Sequence, residues 1–352
     1  MDFVITTRRV KGDAFDDKAE PGPARFLRVP TNAKAFTPAH AISGAGSLKT
    51  WVDEVIGLAD GDENPNSISP TGDILVFVHG YNNDPTTVLW RLRRLTKDMR
   101  AEGWRGQIIA FDWPSENQVL NYLEDRSDGA AVAVELVHKC VEIVARGQEQ
   151  GCTTNIHLLG HSTGAYVIME AFAQAQKDGK LFRSDWKIGQ TAFIAADVSS
   201  SSLADASQAP MFDRIDRLTN YSNPFDAVLG VSNAKRLGTS PRAGRSGLPR
   251  TGQPAPAQTK TINVNCGAHF NTLNPDKLRN EDGFRGNFTH SWHIGDRTFA
   301  RDLAMSLEGA ISREAIPTRE LTDGEFHLVN RQRPKFMDAW KIKEDLGPRP
   351  PL

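Results

Sequence analysis

The sequence predicts an α/β protein in which a mostly parallel β-sheet carries helices on both faces. After residue 70, short apolar runs of strand length alternate with segments of helical periodicity. Several runs are apolar throughout, such as Ile74–Val78 and Thr191–Ala196, which is typical of strands buried on both faces of a parallel sheet. In the clearest helical segment, 129–146, apolar residues form one stripe and charged residues lie off it.

Eight segments have the composition and length of strands, so we expect a central sheet of eight strands. They are residues 2–10, 25–29, 74–79, 107–112, 156–160, 191–197, 217–222 and 260–265. Helices are expected at 86–100, 129–146, 164–178 and 296–310. These elements predict one domain over residues 1–311, with a loop insertion at 232–259 whose arginines lie in solvent. Residues 312–352 are expected to form a C-terminal extension that wraps the surface.

The composition is that of a soluble globular protein, with 39% hydrophobic residues, 24% charged residues and a formal net charge of −1 among 352 residues. This balance predicts no general attraction to nucleic acid or to an anionic membrane. No apolar run approaches the roughly 18 residues of a membrane span, and the first ten residues lack the pattern of a secretory signal. Cys140, Cys152 and Cys266 show no C-x-x-C spacing, so we expect a cytoplasmic protein without a disulfide framework or zinc site.

The most informative motif is Gly160-His161-Ser162-Thr163-Gly164, the only G-x-S-x-G in the chain. A strand-like run precedes it and a helix-like run follows it, which is the setting of a nucleophile elbow. In such a turn the serine adopts a strained backbone conformation and projects its hydroxyl from the sheet edge. The flanking glycines are required because a Cβ atom at either position would collide with a neighbouring strand or helix. Ser162 is therefore the candidate nucleophile.

A serine hydroxyl is a weak nucleophile at neutral pH, so it needs a base and an acid that holds the base. The chain order Ser, Asp, His favours Asp226 as the acid, because it follows the strand predicted at 217–222. Asp197 is the alternative, since it ends the strand 191–197 and faces the same edge of the sheet. We prefer Asp226.

The preferred base is His290, which follows the last predicted strand and precedes the last predicted helix. His269 and His293 are alternatives, the first in a loop nearer the strand and the second closer to the helix. His157 and His161 flank the serine too closely in sequence to serve as its base. The base assignment therefore favours His290 over two rivals on the same segment.

A further requirement is a pair of donors for the oxyanion that forms during acyl transfer. His79-Gly80-Tyr81-Asn82 comes at the end of the third predicted strand, where a His-Gly turn presents a backbone N–H toward the nucleophile. The backbone N–H groups of Tyr81 and Thr163 are therefore the expected oxyanion hole.

Together these motifs resemble those of the α/β-hydrolase superfamily, and within it a branch of poorly characterised bacterial proteins of esterase/lipase type. The resemblance covers residues 70–310. Its most branch-specific piece is a Trp-Pro-Ser segment after a strand, with a Tyr and an Asp downstream. The matching segments are Val76–Asn82, Ala110–Ser115 with Tyr122 and Asp125, Leu158–Gly164, Asn223–Leu229 and His290–Trp292.

The resemblance implies an α/β-hydrolase fold and hydrolysis of a small-molecule carboxylic ester through an acyl-enzyme, with Ser162, Asp226 and His290 as the triad. It implies no metal or organic cofactor. A thioesterase, amidase or acyltransferase would use the same residues, and a non-catalytic binding protein on the same scaffold is an alternative of another class. Because this superfamily supports many chemistries, the acyl group, the alcohol group and the oligomeric state stay open.

Overall fold

The structure is a computed structural model that describes residues 1–16, 21–59, 73–115, 132–137, 154–183, 185–204, 209–235, 241–249, 255–280, 284–309 and 311–335. Within these ranges, ten strands form one sheet and two short strands form a separate hairpin. The strands are β1 (Asp2–Thr6), β2 (Val10–Lys11), β3 (Ala14–Phe15), β4 (Arg25–Val29), β5 (Ile74–Val78), β6 (Gln107–Asp112), β7 (Ile156–His161), β8 (Ile188–Ile194), β9 (Ile215–Ser222), β10 (Thr261–Asn265), β11 (Arg319–Thr322) and β12 (Glu325–Leu328).

The large sheet is parallel through its centre and antiparallel at both edges. Its order is β11-β12-β10-β9-β8-β7-β5-β6-β1-β4. Every pair from β12 to β1 is parallel, whereas β11 and β4 are antiparallel to their neighbours. The mostly parallel sheet is confirmed, but it has ten strands rather than the eight expected, because β11 and β12 come from the predicted C-terminal extension.

Helices cover both faces of the sheet. They are Ser47–Ala59, Pro85–Ala101, Gly164–Lys177, Gly179–Arg183, Ala209–Arg214, Ala227–Lys235, Ala243–Ser246, Ala255–Lys260, Gly267–Phe270, Pro275–Asn280, Phe288–Ser291 and Arg297–Glu308, with 3₁₀ turns at Pro38–His40 and Ser200–Ala204. None of these helices is long and apolar enough to cross a membrane.

Three of the four predicted helices are confirmed within a few residues, at Pro85–Ala101, Gly164–Lys177 and Arg297–Glu308. The helix predicted at 129–146 is helical over 132–137. The rest of that helix lies outside the described ranges, as do Tyr122, Asp125, Cys140, Cys152 and Arg250. The helix Ser47–Ala59 was not predicted.

The sheet separates two hydrophobic cores, which explains why a central strand such as β5 is apolar throughout. Along β5, Ile74, Val76 and Val78 pack in one core, while Leu75 and Phe77 pack in the other. Successive side chains of a strand point to opposite faces. Since both faces are covered by helices, each position of such a strand requires an apolar residue.

The segment 232–259 was expected to be a solvated loop insertion, and this prediction is wrong. Its described residues form parts of three helices, and Gly244 packs so closely against β8 that a Cβ atom there would lie 2.1 Å from the backbone nitrogen of Ala196. Arg242 is buried, and its Nε lies 3.3 Å from an Asp197 carboxylate oxygen. Because these contacts join residues far apart in sequence, the proline and arginine content did not reveal them.

The C-terminal extension does not simply wrap the surface, because β11 and β12 continue the sheet beside β10. A buried polar cluster fixes the hairpin to the domain. Arg319 lies 2.6 Å from Asp302, and the same carboxylate accepts hydrogen bonds of 2.6 Å from Tyr221 and Thr318. The Ser306 hydroxyl also donates to this carboxylate at 3.4 Å, so Asp302 has four hydrogen-bond donors. The domain boundary at residue 311 stays a prediction.

We expect Asp302→Asn to lower the free energy of unfolding by about 3–5 kcal/mol, because it leaves the Arg319 guanidinium buried without its counter-charge. Glu320→Gln is the matched control, since Glu320 pairs with Arg331 at an exposed position and should cost no more than about 1 kcal/mol. Urea denaturation of both variants measures the difference. Equal losses in the two variants would contradict the anchoring role of Asp302.

Candidate active site

Ser162 occupies a sharp turn between β7 and the helix Gly164–Lys177. Its φ is +56°, a left-handed conformation that is costly for a residue with a Cβ atom. The turn is clamped to the next strand, since the Ser162 N–H donates to Ile194 O at 3.0 Å and Ser162 O accepts from the Asp197 N–H at 3.0 Å. The strained elbow expected from the motif is therefore present, and it is held by the end of β8.

The two glycines of the motif are where the elbow touches its neighbours. A Cβ atom at Gly160 would lie 2.8 Å from Cα of Ala165, in the helix that follows. At Gly164 it would lie 2.2 Å from the carbonyl oxygen of Val78, at the end of β5. The predicted collisions with a helix and a strand are thus confirmed, and they explain why both positions require glycine.

Asp226 and His290 form a buried pair at the same edge of the sheet. Asp226 follows β9, and its Oδ1 accepts the N–H of Leu229, which fixes the carboxylate at the start of the helix Ala227–Lys235. Its Oδ2 lies 2.7 Å from His290 Nδ1. Since a carboxylate only accepts, Nδ1 carries the proton and Nε2 is left with a lone pair. This is the tautomer that a general base requires.

The rival residues are engaged elsewhere. Asp197 contacts no imidazole among the described residues; its carboxylate pairs with Arg242 and accepts the Ser232 hydroxyl at 2.8 Å. His269 pairs with Asp296 at 3.1 Å. These contacts favour Asp226 over Asp197 as the acid.

His293 is also unsuited to the role of base. It is buried, stacked on Trp292 at 4.0 Å between ring centroids, and neither of its nitrogens has a hydrogen-bond partner among the described residues. Burial, followed by the charges of His290 and His269, lowers its pKa well below the usual value. His293 is thus a neutral core residue without a carboxylate to orient it.

His290 lies beside the elbow, although its Nε2 and Ser162 Oγ do not form a hydrogen bond in this structure. Its ring centroid is 5.0 Å from that of His161, the residue that precedes Ser162. Catalytic hydrogen bonds are often long without substrate and tighten when substrate binds. The structure therefore brings Ser162, Asp226 and His290 to one edge of the sheet, while their catalytic roles stay predictions.

The predicted oxyanion loop touches the elbow directly. A Cβ atom at Gly80 would lie 2.5 Å from Cβ of Ser162 and 2.9 Å from the carbonyl oxygen of His161. The peptide that carries the Tyr81 N–H begins at this contact, and Thr163 is the residue after the serine. The roles of Tyr81 and Thr163 as donors stay predictions, but the close approach explains the glycine at position 80.

A fully buried polar cluster beneath this loop was not predicted from the sequence. The Asp112 carboxylate lies 2.8 Å from Arg8 Nε and 3.0 Å from His79 Nε2. Burial alone would raise the pKa of Asp112, but the Arg8 charge and the hydrogen bonds from His79 and Arg8 outweigh it and hold that pKa below its usual value. Burial lowers the pKa of His79, against the opposing effect of Asp112. Asp112 therefore stays ionised next to a cation.

The cluster holds the oxyanion loop in place. His79 Nδ1 lies 2.7 Å from Gly80 O, and Asn83 Nδ2 donates to Gly80 O at 2.8 Å and to Tyr81 O at 2.9 Å. Arg8 in turn donates to the carbonyl oxygen of Asn83. Asp112 was visible at the end of a predicted strand, but Arg8 was placed within the strand 2–10, which in fact ends at Thr6.

His161 lies too close to Ser162 in sequence to serve as its base. In the structure its ring lies between Arg91 and the backbone of His290. Its Nδ1 lies 3.1 Å from Arg91 Nη1, and its Nε2 lies 3.3 Å from the carbonyl oxygen of His290. Burial, then the charges of Arg91 and His290, lower its pKa well below the usual value. The neutral ring therefore accepts from Arg91 and donates to His290 O. Arg91, whose own pKa burial lowers to about 10, also donates to Ser291.

The described residues contain no group of three or more His, Cys, Asp or Glu side chains arranged to hold a metal ion. Asp226 and His290 are instead paired with one another. The arrangement has the parts needed for nucleophilic catalysis by a serine.

Residues 64–277 match the family described as alpha/beta hydrolase of unknown function (DUF900). The chain belongs to this family. The matched segment includes Ser162 and Asp226 and ends before His290. No curated protein matches the chain.

Among solved structures, the chain is similar to a cutinase-like protein from Cryptococcus sp., with 15% identity, a TM-score of 0.34, and coverage of 69% of this chain and 98% of that one. It is also similar to a putative cell surface hydrolase from Lactobacillus plantarum, with 10% identity, a TM-score of 0.32, and coverage of 77% and 97%. A cutinase from Trichoderma reesei has 12% identity, a TM-score of 0.28, and coverage of 73% and 82%.

We expect Gly80→Ala to lower the free energy of unfolding by about 1–3 kcal/mol, because the added methyl group overpacks against Ser162 and His161. Gly57→Ala is the matched control: a Cβ atom at this exposed helical position meets nothing within 4 Å, and it should raise stability by about 0.5–1 kcal/mol. Chemical denaturation tests both. The close contact is disproved if the two substitutions shift stability in the same direction.

We expect stability to fall as the pH drops below about 6.5, where histidines of the unfolded chain take up protons. The pKa values of His79, His161 and His293 are lowered in the folded protein, so the unfolded state binds more protons and acid favours unfolding. His293→Phe should reduce the slope of unfolding free energy by about 1.4 kcal/mol per pH unit in this range. Urea denaturation between pH 7.5 and 5.5 measures the slope, and an unchanged slope would show that His293 does not contribute.

Proposed function

We propose that the protein is a serine hydrolase that cleaves carboxylic esters through an acyl-enzyme intermediate. The observation that supports this most is the buried 2.7 Å contact between Asp226 and His290, at the same sheet edge as the strained Ser162. Of the candidate acids and bases for this serine, these two contact one another. Asp197 and His269 each contact another partner.

In the proposed reaction, Ser162 Oγ attacks the ester carbonyl carbon while its proton passes to His290 Nε2. The carbonyl π electrons move to oxygen, and the oxyanion accepts the N–H groups of Tyr81 and Thr163. The intermediate then expels the alcohol, which takes the proton from the imidazolium. Water attacks the acyl-enzyme by the same route, releasing the carboxylic acid and restoring the serine. Asp226 keeps the imidazole oriented and stabilises its cationic form.

A cavity of about 780 Å³, lined by Thr289, the residue before His290, is the proposed binding site for part of the substrate. Thr289, Phe288 and Phe270 line it together with Leu273, so it offers both apolar surface and polar edges. Pockets of this size and mixed character suit small organic ligands. We therefore propose a small-molecule ester as the substrate. A cytoplasmic location stays a prediction from cysteine spacing.

Ser162→Ala should abolish both covalent labelling by a fluorophosphonate and turnover of p-nitrophenyl esters, because no other side chain replaces the hydroxyl. Ser201→Ala is the matched control; it removes a hydroxyl from an exposed serine and should change neither readout. Circular dichroism and thermal unfolding establish that both variants fold.

Labelling that survives in Ser162→Ala would falsify the assignment. A wild-type protein that neither reacts with the probe nor hydrolyses any ester of the panel would instead favour a non-catalytic binding role. Comparing esters of increasing acyl length on the wild-type protein then ranks the acyl groups that the site accepts.

A further inference from the structure

A basic cleft lies along the helix Pro85–Ala101, apart from the candidate catalytic residues. Its volume is about 500 Å³. The described residues that line it are Lys34, Thr86, Trp90, Arg93, Arg94, Lys97 and Arg285; five of these seven are cations and none is acidic. The whole chain carries a formal net charge of −1. The cleft is therefore a local concentration of positive charge rather than a property of the whole surface.

Two of the cations are held rigidly by the fold. Arg93 lies 2.8 Å from Asp2 and also donates to the carbonyl oxygens of Ala33 and Pro30. Arg94 lies 2.8 Å from Asp98. These two carboxylates lie outside the lining and offset two of the five positive charges. The charge of Lys97 also acts on Asp98, so Lys34 and Arg285 are the two cations of the lining whose charges no described carboxylate offsets.

Lys34 and Arg285 differ from these arginines because they are exposed and make no hydrogen bond or ion pair with any described residue. Exposed lysines and arginines ordinarily form a solvated helix face. These two come instead from separate segments of the chain, before β5 and after β10, and both line the same concavity. Their ammonium and guanidinium donors are thus available to an anion inside a preformed cleft.

Trp90 adds an aromatic wall to the cleft. Its ring packs edge-to-face on Phe284, with centroids 5.8 Å apart and an interplanar angle of 83°. This contact fixes the indole beside Arg285. An aromatic face next to cationic donors suits a ligand that has a charged group and a flat or apolar part.

We propose that this cleft binds a phosphate-bearing ligand, with Lys34 and Arg285 donating to the phosphate oxygens and Trp90 contacting the remainder. Phosphate fits better than a single carboxylate, because it offers three or more acceptor oxygens to several converging donors. The ligand is either a soluble phosphate ester or the headgroup of an anionic lipid. The site is separate from the proposed ester hydrolysis and goes beyond it.

Isothermal titration calorimetry of the full chain with inorganic pyrophosphate and with glycerol 3-phosphate tests the soluble source. The titrations use the Ser162→Ala protein, so the result does not depend on whether that serine is a nucleophile. We expect saturable binding that weakens as salt rises. Sedimentation with phosphatidylcholine vesicles, with and without phosphatidylglycerol, tests the lipid source.

The variant Lys34→Gln/Arg285→Gln should weaken binding by about tenfold or more, because it removes two charge-assisted contacts. Lys49→Gln/Arg331→Gln is the matched control, since it removes two exposed cations elsewhere and gives the same net charge. Loss of binding in Lys34→Gln/Arg285→Gln but not in the control supports the site. A loss seen by calorimetry identifies a soluble phosphate ester as the ligand, and a loss seen by vesicle sedimentation identifies an anionic lipid headgroup. Absence of binding in both arms, or an equal loss in both variants, overturns the proposal.

Discussion

The left-handed backbone of Ser162 is the constraint on which the site depends. A serine at a φ of +56° persists only where its surroundings exclude the relaxed alternatives. Here Ile194 and Asp197 clamp the peptide from β8, and close backbone contacts at Gly80 and Gly164 leave no room for the turn to relax. The elbow is therefore held in place by tight packing among three neighbouring strands. Its geometry in turn fixes the positions of the groups that contact it.

Charge beneath the surface fixes the groups around that turn. On one side, Arg8 and Asp112 form an ion pair that supports His79 and, through it, the loop at Gly80. On the other, a neutral His161 joins the guanidinium of Arg91 to the backbone of His290. Both clusters are shielded from water, so their hydrogen bonds are stronger than exposed ones, and loss of one partner is correspondingly costly. Candidate loops on both sides of the serine are thereby tied to the rigid sheet.

Much of the fold and of the candidate site was predictable because the signals are local. Apolar runs such as Ile74–Val78 indicated a sheet covered on both faces, and the G-x-S-x-G motif located the elbow. The preference for Asp226 and His290 rested on chain order and on their positions relative to the predicted strands and the last predicted helix. The parts that were missed depend on partners distant in sequence: Arg8 meets Asp112 at the end of the neighbouring strand β6, and no local pattern marks such a contact.

The segment around Gly244 and the strands β11 and β12 were also mispredicted, because their contacts join residues that are distant in sequence. Proline, glycine and arginine at 240–250 are typical of a surface loop, yet Arg242 is buried and pairs with Asp197, which lies just after β8. The hairpin is short and polar by composition, and it enters the sheet because β10 offers an unpaired edge and Asp302 offers a buried anion to Arg319.

The position of that hairpin bears on how the protein can be shortened. The family match ends at residue 277, so a chain trimmed to that segment loses β11 and β12 and leaves the backbone amides and carbonyls of β10 open to solvent. An uncovered strand of this kind is a template for pairing between molecules. The C-terminal hairpin therefore covers the edge of β10, and a shortened chain without it would expose that edge.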